Sequence, residues 1–197
     1  MGLLTLAFVA GVYYLTNHNQ VFKLNALPMS SVDLLVPFKP WTIWVYISEY
    51  VYYVIAFLSF RNLMNVNKFL YSYLALSLLS CAIFFFWPTV FPRELYPLDA
   101  SVPDGITKTV FSFLRTHMDT PANCLPSHHV SSCFLLAFAF YTESKAKFRI
   151  YLSWTFLISL STLSTKQHYF YDVVTGFLLA VVFYKIFWNK IKYIEKV

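Results

Sequence analysis

Six apolar segments, at about residues 3–16, 41–60, 69–90, 129–142, 148–165 and 169–188, take up more than half of this 197-residue chain. They leave it few ways to fold. A bilayer's hydrocarbon core is about 30 Å thick and is crossed by roughly 20 apolar residues in a helix, the form in which a segment satisfies its own backbone. The chain is 58% hydrophobic and only 12% charged, where a soluble domain carries about a quarter charged residues. Aromatic residues reach 21%, and Tyr and Trp gather where apolar runs meet polar ones, as in interfacial belts. The expected fold is all-α: a polytopic membrane bundle of about six transmembrane helices, forming a single domain over residues 1–197. The first segment is short for a crossing and either extends, tilts or lies partly in the interface.

The net charge of +6 does not point to nucleic acid, because the cations are dispersed along loops and form no stripe. Membrane topology and anionic headgroups account for them better. Cys81, Cys124 and Cys133 form no even framework and read as free thiols. The N-terminus lacks a basic stretch and a small-x-small cleavage site, so no removable signal peptide is expected.

Alternating six spans from a cytoplasmic N-terminus sorts the loops into two sets. Inside lie Arg61, Lys68, Lys145, Lys147, Arg149, Lys185, Lys190, Lys192 and Lys196. Outside lie Lys23, Lys39, Arg93, Lys108, Arg115 and Lys166. The bias is modest and follows the positive-inside rule. The polar stretches Asn17–Pro40 and Phe91–Ser127 then share the outer side with the short loop 165–168.

Two histidine motifs fall on that side. Pro126-Ser127-His128-His129 precedes the fourth apolar run, and His168-Tyr169-Phe170-Tyr171-Asp172 opens the sixth. Imidazoles and carboxylates are costly at a membrane boundary and suggest chemistry there. His168 and Asp172 stand four apart, on one helix face, so the carboxylate can orient the imidazole. Alone, the pair equally describes a helix start that satisfies itself. Ser127 suits an N-cap, and free N–H groups at a helix N-terminus favour anions, with His129 beside them. Arg93, after the third span, can grip phosphate bidentately or merely snorkel. Lys166 adds a cation two residues before His168. Glu49, inside the second span, reads as paired with a nearby Tyr, with a substrate role as the alternative. His18 and His117 read as loop residues. A metal site from His128, His129, His168 and Asp172 lacks a supporting Glu/Cys cluster or His-x-x-x-His pair, so neither metal nor cofactor is expected.

These residues resemble the type 2 phosphatidic acid phosphatase superfamily, six-helix membrane enzymes that remove or transfer phosphate groups on lipids. The family's Pro-Ser-x-His is matched by Pro126, Ser127 and His129, its His-x-x-x-Asp by His168 and Asp172, and its arginine after the third span by Arg93. Val36-Pro37-Phe38-Lys39-Pro40-Trp41 also resembles the approach to the second span in bacterial relatives. The likeness covers most of the chain from about residue 34. Two customary cations are absent: Phe86 stands seven before Arg93 and Thr162 six before His168. Glu94 replaces a proline after the arginine. Thr165-Lys166-Gln167-His168-Tyr169 looks more like the branch of inositol phosphorylceramide and sphingomyelin synthases.

The resemblance implies a metal-independent lipid phosphatase acting through a phosphohistidine on a lipid phosphate monoester or diphosphate. His168 would be the nucleophile, Asp172 its orienting partner and His129 the acid. Arg93, Lys166 and the N–H groups near Ser127 would bind phosphate. Headgroup transfer to a lipid alcohol is the alternative, and a non-catalytic transporter or scaffold is the alternative of another class. The expected partners are a lipid phosphate and the bilayer. The expected location is a bacterial inner membrane, with the site facing the periplasm or exterior.

Overall fold

A computed structural model describes residues 2–119 and 121–191. Lys192 and Lys196, two of the expected inner cations, lie outside the described residues. Six apolar helices match the six segments: α1 (Gly2–His18), α3 (Ile43–Ser59), α4 (Leu63–Phe86), α7 (His128–Ala139), α8 (Lys145–Ser164) and α9 (Phe170–Lys185). The all-α membrane bundle is the observed fold. Stretches Pro40–Ser59, Leu63–Phe86 and Phe170–Lys190 are long and apolar enough to cross a bilayer. The last of these continues α9 through the π-helical turn Ile186–Lys190.

Local chemistry sets the helix ends. Asn62 Oδ1 accepts from the Met64 amide at 2.8 Å, so α4 starts at Leu63 and most of the expected loop 61–68 is helix. Its end at Phe86 follows from Pro88, which disfavours helical backbone at Trp87. Ser127 and Ser144 cap α7 and α8 through Val130 N and Lys147 N. The outer polar stretches, expected as loops, also carry the short helices α2 (Ser31–Leu35), α5 (Leu98–Ser101) and α6 (Ile106–Phe113). A π-helical turn, Leu114–Met118, follows α6. In α2, Ser30 and Asp33 form a capping box, a Ser-x-x-Asp signature within a segment read as irregular.

Helix α7 has 12 residues, about 18 Å of rise, too short for a bilayer core. It needs no such length, because α4, α8 and α9 enclose it and ten of its residues are buried. Val130, Leu136 and Phe140 join Phe69, Tyr151 and Ile158 in the main core. Several polar residues of this core bond to backbone carbonyls, the usual partner in hydrocarbon. Ser132 Oγ donates to the His128 carbonyl at 2.6 Å, and Tyr52 OH reaches across to the Cys133 carbonyl at 2.8 Å. Helix α9 crosses α7 so closely at Gly176 that a Cβ there would lie 2.7 Å from the Ser127 carbonyl oxygen.

Hydrogen bonds knit the loops into two opposite ends. At one end, Arg61 N and Asn62 N donate to Glu143, and Lys147 Nζ bonds both Glu143 and the Ser59 carbonyl. At the other, β1 (Asn25–Ala26) pairs in parallel with β2 (Thr89–Val90), and Thr89 bridges to Asn123. Lys39 N donates to the Ser164 carbonyl at 2.8 Å, and Ser127 N to the Asp172 carbonyl at 3.1 Å. The histidine motifs and Arg93 therefore share the end assigned to the outer set.

Candidate active site

His168 closes the loop after α8, with its amide bonded to the Thr162 carbonyl at 3.3 Å. Its Nδ1 lies 3.3 Å from Asp172 Oδ2, and both side chains are buried. Asp172 is itself held at the first turn of α9, where Oδ2 accepts from Tyr169 N at 2.8 Å. Asp33 steadies the same turn: its Oδ1 accepts from Phe170 N at 2.7 Å while its Oδ2 caps α2. Nε2 of His168 is buried without a partner.

His129 forms a second dyad that spacing did not foretell. Its Nδ1 lies 2.7 Å from Glu49 Oε2, so Glu49 pairs with this histidine and not, as expected, with a tyrosine. The bond joins α7 to α3 across 80 positions. Here too Nε2 is buried and unpartnered. The two imidazole centroids stand 5.9 Å apart at 70°. His128, in the variable place of the motif, turns aside into an aromatic slot, stacked on Tyr13 at 5.5 Å.

Arg93 and Asp119 complete the cluster. Arg93 is 7% exposed; Nη2 lies 3.2 Å from Asp119 Oδ2, and Nη1 donates to the Asp119 carbonyl. Tyr46 OH and Tyr13 OH donate to the two Asp119 oxygens, each at 3.1 Å. Burial raises the Asp119 carboxyl, but Arg93 first, then His129 and His168, hold it below the usual carboxylate range. One atom each of Asp119, His129 and His168 lie within 4.8 Å of one another. Two imidazoles, one buried and one half-buried, each with one nitrogen oriented by a carboxylate and the other unpartnered, therefore stand next to the carboxylate that Arg93 pairs. Such an arrangement suits nucleophilic attack and proton transfer at an anionic centre.

A family model for the PAP2 superfamily matches residues 35–186 of this chain. The chain belongs to that superfamily. No curated relative and no solved structure matches it. Membership makes it an integral membrane protein of phosphatase or phosphotransferase type.

Against that family pattern, Lys166 stands in an unexpected place. Its Nζ donates to the carbonyls of Asp33 and Val36, at 2.7 and 2.6 Å, and lies 5.2 Å from the Tyr96 ring centre. The ammonium thus gives two of its three donors to carbonyls at the end of α2. Lys166 also has φ +56°, rare for a residue with a Cβ, so the loop turns sharply just before His168. Ser127 Oγ accepts from Val130 N as the cap of α7, which leaves its O–H and the remaining first-turn N–H groups for an anion. Asp119 and Glu49 are the site residues that sequence reasoning missed. Glu49 stands 80 positions from His129, hinted at only by its charge within an apolar run, and Asp119 lies in the polar stretch before the first histidine motif with no periodicity to mark it.

Among the described residues, two groups could hold a cation by donor type: Asp119 with His129 and His168, and Cys124 with His168 and Asp172. In the first, the Arg93 guanidinium already occupies Asp119 and would repel a cation beside it. In the second, Cys124 is driven towards the neutral thiol, by burial first and Asp172 second, which opposes metal ligation.

Proposed function

We propose that this protein is a metal-independent membrane lipid phosphatase, a single domain that cleaves a lipid phosphate monoester or diphosphate through a phosphohistidine. The observation that carries this reading is the pair of neighbouring dyads, His168–Asp172 and His129–Glu49, with both Nε2 atoms buried and unpartnered and both imidazoles close to the Asp119 that pairs with Arg93. His168 Nε2 attacks phosphorus while its Nδ1–H stays on Asp172. The bond from phosphorus to the lipid oxygen breaks, and His129 Nε2–H delivers a proton to that oxygen. Water then attacks phosphorus, His129 takes its proton, and the P–N bond breaks to release inorganic phosphate and free His168. Arg93 and the amides at the start of α7 neutralise the phosphoryl oxygens, which is where most of the catalysis in phosphoryl transfer lies. Asp119 holds Arg93 in place until phosphate arrives.

A cavity of about 410 Å³ supports a lipid leaving group. It runs between α1, α3 and α4, is lined by Val9, Tyr50, Tyr53 and Tyr73, and ends at Glu49, Asp119 and His129. Its walls are largely apolar, and the acid of the mechanism sits at its polar end. The end bearing the motifs is assigned to the periplasmic or exterior face of a bacterial inner membrane, on the modest bias of Lys and Arg toward the opposite end.

The test is phosphate release by the purified protein from a panel of lipid monophosphates and diphosphates, beside label transfer to lipid alcohols. His168→Ala should abolish release and His129→Ala should cost about 10²–10⁴-fold. Excess EDTA should leave the rate unchanged. Near-normal release by His168→Ala, or an EDTA loss reversed by Zn²⁺ or Mg²⁺, would overturn the mechanism.

A further inference from the structure

We propose that Arg115 is a second phosphate-binding guanidinium, acting beside Arg93 on the same phosphate; the inference rests on the phosphatase reading above. Arg115 lies in the π-helical turn Leu114–Met118, and the same turn carries Asp119, whose amide donates to the Leu114 carbonyl at 2.9 Å. Its Nη1 donates to the Tyr96 carbonyl at 3.1 Å, and Tyr96 N donates to the Arg93 carbonyl at 3.0 Å. The Arg115 guanidinium is thus moored to the turn whose backbone carries Arg93, and the Arg93 guanidinium in turn holds Asp119, which closes the turn of Arg115.

The rest of Arg115 is unused. Nε and Nη2 are buried and have no partner. These two nitrogens share one edge of the planar group, the fork that takes two phosphate oxygens side-on. Among the described residues, no carboxylate forms an ion pair with Arg115. The nearest candidate, Asp119, already accepts from Arg93 and two tyrosines. A partly buried guanidinium near another of like charge is unfavourable unless an anion joins them. Its proton affinity reflects the cost: burial first, then Arg93, bring it down to about 10, with Asp119 opposing. A tetrahedral phosphate dianion supplies both the charge and the paired oxygens. A lipid phosphate headgroup and free inorganic phosphate offer that chemistry equally.

A purely structural Arg115 would need only the single bond to Tyr96, with packing of its guanidinium over Phe111, 5.4 Å from the ring centre. Arg115→Lys keeps a charge and one donor for that carbonyl but lacks the fork; Arg115→Gln removes the charge. Two readouts separate the sources: binding of inorganic phosphate to the full-length protein by calorimetry, and turnover of a lipid phosphate in mixed micelles. Both should weaken about 100-fold in Arg115→Gln and at least about 10-fold in Arg115→Lys, with thermal midpoints close to wild type. Wild-type phosphate affinity and turnover in Arg115→Lys would show a structural arginine and overturn the proposal. Weakened phosphate binding with unchanged lipid turnover would also overturn it, since the edge would then serve free phosphate alone. A wild-type protein that binds phosphate through Arg115 but turns over no lipid phosphate would refute the phosphatase reading and leave the anion site standing.

Discussion

Lys166 and Asp119 carry opposite charges, and each is defined by what it touches. Lys166 is 3% exposed and gives its ammonium to two carbonyls of the 30–36 segment. Burial lowers its proton affinity, with Asp33 opposing, so the cation is kept by those carbonyls. Lys166→Met should therefore cost about 1.5–3 kcal/mol of stability, the usual worth of hydrogen bonds to a charged group. Thermal unfolding reads this directly, and KM for a lipid phosphate should change less than about threefold. A hundredfold rise in KM with normal stability would put Lys166 on the phosphate after all. Asp119 predicts a pH effect of definite sign. Its carboxyl is depressed in the fold, so its ionised form contributes stability above the ordinary carboxylate value of 3.8, and that contribution is lost as pH falls below it. Asp119→Asn should remove this acid-limb loss, seen as a flatter melting temperature between about pH 5 and 3. An unchanged acid limb would mean that the Arg93 pairing adds nothing. At this scale the sequence was legible only where partners are close in the chain. His168 and Asp172 are four apart, one just before α9 and the other in its first turn. Arg93 and Asp119 are 26 apart, and His129 and Glu49 80 apart, so no periodicity joins them. The bonds of Lys166 to the 30–36 segment, some 130 positions away, were likewise beyond any periodicity.

Helix α9 brings the two histidine motifs together, and Gly176 is what lets it. The Ser127 carbonyl and the Ser131 amide lie 2.7 and 3.3 Å from where a Cβ would stand. Both are backbone atoms of the start of α7, which carries His129, and cannot swing aside like the end of a side chain. Gly176→Ala should push α9 from α7, stretch the bond from Ser127 N to the Asp172 carbonyl, and cost about 1–3 kcal/mol. Phosphate release should fall more than stability alone explains, because Asp172, which orients His168, and His129 ride on the two displaced elements. Wild-type melting and activity in this variant would show that the crossing tolerates separation. The long apolar helices were visible in advance because burial in lipid demands uninterrupted runs. Their ends shifted where caps outweighed hydropathy, as at Asn62. The short helices α2, α5 and α6 were hidden, because four to eight residues give too few turns for a period.

As a whole molecule, the bundle separates a polar end that holds both histidine dyads from an end sealed by Glu143 and Lys147. The buried α7 supports His129 from within, and the apolar cavity leads to it between α1, α3 and α4. Composition foretold the membrane, and the motifs foretold the family that residues 35–186 match. It could not foretell the cavity, since that space exists only where three helices diverge. The central claim is that phosphate passes through a covalent bond to His168. The direct measurement is mass mapping of the protein quenched in base during turnover of a labelled lipid phosphate, since a phosphohistidine survives base and is lost in acid. The account predicts one acid-labile phosphate, on His168, absent from His168→Ala and accumulating in His129→Ala if water activation becomes limiting. Phosphate on another residue, or full turnover with none on His168, would contradict it.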